Sequence, residues 1–125
     1  MHFVGKLDRE IYSCITDNIV TDDVIITHNQ LEHIMERHPD AYQKVVYSLR
    51  DTLEDPDYII EDKHQSTGLV IKKIKDHRDH TQMVLRICTS DDKPGYKNSI
   101  ISCWEISEKR LENYLRNKRL LYKKE

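Results

Sequence analysis

A chain of 125 residues is the size of one domain, here 1–125, and its apolar runs (VIIT at 24–27, SIISCWEI at 99–106) exclude disorder throughout. No apolar stretch approaches the roughly 20 residues that cross a bilayer, and MHFVGKLDRE lacks the apolar segment of a secretory signal, so the expected setting is the cytoplasm with no membrane partner. The net charge of −2 hides a division: residues 1–62 hold 5 Lys/Arg against 14 Asp/Glu (−9), and residues 63–125 hold 15 against 8 (+7). That division points to a half that faces a polyanion, or to acid–base matching within or between chains.

Residues 3–7 and 10–15 read as short strands, and 24–27 as another. Residues 27–38 (THNQLEHIMERH) follow with helical spacing of Leu31, Ile34, Met35 and His38, and with Thr27 or Asn29 as cap. Residues 40–56 place Tyr42, Val45, Val46, Leu49 and Leu53 on one helical stripe, closed by Asp55 and Pro56. The period then changes to that of strands: 57–62, 68–75, 81–89 and 97–106, with turn signals at 76–80 and 90–96. A last helix, 107–119, has Ser107 as its cap, and 120–125 reads as a tail strand or a frayed end. The expected fold is α+β: two N-terminal helices, a four-stranded antiparallel sheet with short connections, and a C-terminal helix, with short extra strands at the start.

Cys14, Cys88 and Cys103 are an odd, widely spaced set without a CxxC, which argues against a disulfide framework or a zinc ribbon and for buried thiols. His33 and His38 are five apart, about 140° around a helix, so they do not chelate one ion from one face. Arg37 lies four residues after His33 and beside it on the surface. An imidazole there can serve as a general base; the structural alternative is a polar helix end closed by His38. Pro56, Asp57 and the Glu61–Asp62–Lys63 run imitate a metal-nuclease signature, but three residues separate the parts where two adjacent strands are needed, so no metal is expected. The run HRDH (77–80) has residues able to hold a metal loosely, but it sits in an expected turn and reads as a solvated tip.

Arg86 stands in an apolar strand, where burial requires an anionic partner. Either it pairs with Glu105 or the acidic first half, or its planar fork holds a phosphate. A symmetric 90–96 turn makes residue numbers across the hairpin sum to about 186, which sets Arg86 opposite Ile100 and Val84 opposite Ser102. Arg86, Asn98 and Ser102 then share one face, and Thr89, Lys97 and Ser99 the other; a slip of one residue exchanges the sets. Trp104 reads as a core residue or as a base-stacking platform.

The runs ITHNQLEHIMERHPDAY, LEDPDYIIED, VLRICTSDDKPGYKNSIISCWEI and KRLENYLRNKRLLYK resemble the PBECR-type phage and mobile-element domains of the barnase–EndoU–colicin–RelE nuclease superfamily, over about residues 25–123. The resemblance implies a metal-independent ribonuclease of toxin or effector type, without a cofactor. Its partners would be RNA (tRNA or mRNA) and a protein inhibitor or antitoxin. Carried onto this chain, His33 or His38 is base or acid, Arg86 clamps phosphate, Thr89, Ser99 or Ser102 donates a hydroxyl, and Lys97 assists; from their own positions Arg37, Asn98 and Trp104 are expected, with Lys97, to contact substrate. The alternative is a non-catalytic accessory protein of a phage or mobile element that keeps the fold and binds a protein or nucleic acid.

Overall fold

The computed structural model describes residues 2–37, 42–73 and 79–125, with side chains for all of these except 37 and 42–46. In chain order the described residues form β1 (His2–Lys6), α1 (Arg9–Tyr12), β2 (Asp23–Ile26), α2 (His28–Arg37), α3 (Tyr42–Glu54), β3 (Tyr58–Glu61), β4 (Thr67–Lys72), β5 (Asp79–Arg86), β6 (Asn98–Ser107), α4 (Glu108–Asn117) and β7 (Leu120–Lys123). All seven strands join one mixed sheet, in the order β1-β2-β6-β5-β4-β3-β7.

This corrects the expected plan of two N-terminal helices followed by a four-stranded antiparallel sheet and a C-terminal helix. A strand comes first, and β1 and β2 are members of the sheet. β2 lies parallel to β6 through Val24↔Asn98 and Ile25↔Ser99, a pairing between segments far apart in sequence. The tail strand β7 extends the other edge by pairing with β3. Residues 10–15, expected as a strand, fall partly in α1, because the Asp8 carboxylate accepts from the Glu10 N–H at 2.9 Å and starts a helical turn.

The described members of the expected stripes lie in the core, whereas His38 and the side chains of Tyr42, Val45 and Val46 lie outside the described residues. Leu31 and Ile34 of α2 and Leu49 and Leu53 of α3 pack on one sheet face against Ile59, Val70, Met83, Leu85 and Ile100. Tyr12, fully buried, donates its hydroxyl to the Leu53 carbonyl at 2.7 Å and ties α1 to α3. Thr27 and Gln30 cap α2 reciprocally: the Thr27 hydroxyl accepts from the Gln30 N–H, and the Gln30 side chain accepts from the Thr27 N–H, each at 3.2 Å.

Among the described residues the opposite, outer face is covered only in part. Leu111 and Tyr114 of α4 pack there on Ile60, Leu69, Ile71, Trp104 and Ile106. Ser107 caps α4 as expected, its hydroxyl accepting from the Arg110 N–H at 3.1 Å. The half of the outer face built from β1, β2 and the adjoining ends of β6 and β5 lies outside that cluster. Among the described residues no helix is long and apolar enough to cross a membrane.

Candidate active site

Ladder partners on neighbouring strands point to the same side of a sheet. The pairings Phe3↔Ile25, Ile25↔Ser99, Ser99↔Arg86 and Arg86↔Thr67 therefore define one row of side chains across five strands. The row crosses the uncovered half of the outer face. Thr67 is buried, Ile25, Ser99 and Arg86 are half-buried, and Phe3 is exposed.

The register explains which residues meet. Val84 faces Ser102 as the hairpin arithmetic predicts, but a shift between Val84 and Leu85 then sets Arg86 against Ser99 rather than Ile100. Ile101 is the extra residue of this bulge. The expected grouping is thereby corrected: Arg86 shares its face with Ser99 and Ser102, and Asn98 turns to the core side. There Asn98 is fully buried. Its amide accepts from the Cys88 N–H at 2.7 Å and donates to the carbonyls of Thr21 at 2.7 Å and Asp23 at 3.0 Å.

Arg86 finds its carboxylate in the turn after β5, in neither Glu105 nor the acidic first half. Its Nη2 donates to Asp92 Oδ1 at 2.6 Å, while Asp92 Oδ2 accepts from the Thr89 N–H at 2.8 Å. The Arg86 guanidinium, and after it the Thr89 N–H, hold the Asp92 carboxyl below the usual carboxylate range. Lys97 donates to Asp23 Oδ2 at 3.0 Å, and Lys6 lies 3.9 Å from Asp23 Oδ1. The Lys97 hydrogen bond, then the charges of Lys97 and Lys6, lower the Asp23 carboxyl in the same way. Two cation–carboxylate groups thus border the row, and in both the carboxylate is ionised at neutral pH.

The imidazole lies apart from the guanidinium. His33 is 79% exposed, with Nδ1 3.9 Å from Glu36 Oε2. It lines a cavity of about 300 Å³ between α2 and β6 together with Gln30, Glu36, Ile101, Ser102 and Cys103. Arg86 is not in that wall. Ser102 belongs to both places: it lines the cavity of His33 and stands on the outer face opposite Val84, two ladder pairs from the Ser99–Arg86 row. His38 and the Arg37 side chain lie outside the described residues. Trp104 is half-buried against the α4 cluster rather than in the row. All three thiols are free, and burial raises each, Cys14 to about 11 and Cys103 to about 12. Among the described residues, His, Cys, Asp and Glu do not gather in groups of three or more fit to hold a metal ion.

Sequence reasoning missed Phe3, Thr67 and Asp92, and the groove of about 550 Å³ that Lys63, His64, Ser66, Thr67 and Arg119 help to line. Asp92 had a signal, since an acid three residues after Thr89 in a turn suits a side-chain-to-backbone bond. Phe3 had none, because only the distant pairing of β1 and β2 with β6 brings it into the row.

Nothing among curated proteins or solved structures matches the chain. A family model does, over residues 2–123, so the match takes in β1 and β2 together with the later strands. The chain accordingly belongs to the family described as phage-Barnase-EndoU-ColicinE5/D-RelE like nuclease2, a nuclease family whose substrate is nucleic acid.

Proposed function

We propose that the chain is a metal-independent ribonuclease acting at the uncovered half of the outer face. The observation that carries this reading is the Arg86 guanidinium, standing on the outer face in a row between two hydroxyl residues, Thr67 and Ser99, the latter brought opposite it by the bulge in β6. A base takes the proton of a ribose 2′-OH, and that oxygen forms a bond to the adjacent phosphorus. The bond to the 5′-oxygen breaks, an acid returns a proton to it, and a cyclic phosphate is left. Arg86 exchanges part of its contact with Asp92 for a phosphate oxygen and stabilises the added negative charge. Ser99 and Thr89 donate hydroxyls, and Lys97 adds positive charge. His33 or His38 carries the proton; for His33 the support is Ser102, shared between its cavity and the face of Arg86. Such an enzyme, acting on tRNA or mRNA in the cytoplasm, would serve as a toxin or effector held in check by a protein inhibitor.

The test is incubation with tRNA and mRNA in EDTA, with analysis of product ends. The expected result is cleavage leaving 2′,3′-cyclic phosphate, reduced roughly 100-fold or more in kcat by Arg86→Ala and less by Arg86→Lys. Absence of cleavage, or equal rates for wild type and Arg86→Ala, sinks the proposal. A second reading, the non-catalytic accessory protein, is favoured by one observation: Arg86 and Lys97 are both already engaged by carboxylates. It predicts partner binding without turnover in the same assay.

A further inference from the structure

We infer that Phe3 is a base-stacking platform for a nucleotide next to the one whose phosphate meets Arg86. The inference rests on the reading that the uncovered face takes RNA, and it assigns a subsite of that face.

Phe3 is the chain's single phenylalanine, and it is 57% exposed on the face that carries Arg86. Its orientation is built in. Phe3 pairs in register with Ile25 and alternates with Val4, so Val4 turns into the core while Phe3 stays outward beside half-buried Ile25. The strand is anchored next to Phe3, where the His2 ring stacks on His28 at the start of α2, centroids 5.8 Å apart.

Distance and charge select the occupant. From β1 to β5 the row spans three strand spacings, about 14 Å. That is too wide for a base and its own phosphate, so the base on Phe3 belongs to a neighbouring nucleotide. Between and beside the two ends lie Ser99 and the two cations Lys97 and Lys6, which share the single carboxylate of Asp23. An aromatic ring at one end and cations along the path form the pattern that holds single strands, by stacking on one side and phosphate contact on the other. Every base offers a π-face, so this subsite would register the presence of a base rather than its identity.

The test is binding of a short single-stranded RNA with 2′-O-methyl sugars, which blocks the attacking hydroxyl. It compares wild type, Phe3→Ala, Phe3→Tyr and Phe3→Trp, and repeats with an abasic residue at each position in turn. Phe3→Ala is expected to weaken binding roughly tenfold or more, while Phe3→Tyr and Phe3→Trp hold it. One abasic position should cost the wild type as much as Phe3→Ala does, and should cost Phe3→Ala nothing further. Equal binding by wild type and Phe3→Ala overturns the inference, as does a Phe3 whose only effect is self-association measured by sedimentation. Cleavage of unmodified RNA is scored in parallel. Phe3-dependent binding without cleavage refutes the nuclease proposal and keeps the subsite; cleavage with Phe3-independent binding does the reverse.

Discussion

Asn98 shows how one side chain sets the geometry of the row from behind. Its amide satisfies three backbone groups, from the Cys88 N–H on one side to the carbonyls of Thr21 and Asp23 on the other, and so joins β2 and the chain leaving β5 to β6. Asn98→Ala leaves those groups without that partner in a buried setting. We expect a loss of about 3 kcal/mol, read as a lower midpoint in urea unfolding. A substrate-contact role for Asn98 was the natural reading of a polar residue beside Lys97 and Ser99. Whether a strand residue faces core or solvent depends on register, and a turn sequence does not reveal the extra residue at Ile101. Ser102, one position past that bulge, was placed opposite Val84 correctly for the same reason: the arithmetic holds until the shift.

At the scale of elements, helical period was legible and short apolar runs were not. Leu31, Ile34, Leu49 and Leu53 recur at spacings that one helical stripe demands, and all four are buried in the core. Residues 10–15 are too few to distinguish period 2 from period 3.6, and Asp8 decides in favour of a turn of helix. For α4 the start was readable, with Ser107 as cap, whereas the helix ends at Asn117 and not at the expected 119. That helix buries one residue fully, Leu111, so its end matters more than it would in a deeper helix. Ser107→Ala should cost about 1 kcal/mol, seen as a lower Tm. If α4 serves only as a cover for the apolar half of the outer face, the variant should leave RNA binding unchanged at temperatures where it is folded.

Across the whole molecule, the acidic first half and basic second half meet each other. Lys97 pairs with Asp23, Lys72 and Lys124 with Asp55, and Arg119 with Glu61. Charge division was visible in the sequence; that much of it is matched within the chain required coordinates. The carboxyls of Asp23, Asp55 and Asp92 all titrate below their usual range, held there first by Lys97, Lys124 and Arg86 respectively. A lowered folded-state value contributes stability that is present above the unfolded value and is lost as pH falls through the lowered one. Urea midpoints between about pH 2 and pH 7 should therefore drop below about pH 4, and Asp92→Asn should flatten its share of the drop.

The parallel seam between β2 and β6 has a consequence for how the protein is made. The row that carries Phe3 and Arg86 closes only when Ile25 meets Ser99, yet synthesis proceeds from the N-terminus. At about 5–20 residues per second, the growing polypeptide waits roughly 4–15 s between producing one partner and the other. For that interval the ribosome carries the separate strands of the row without the row itself, so whatever that face does waits until assembly is nearly finished.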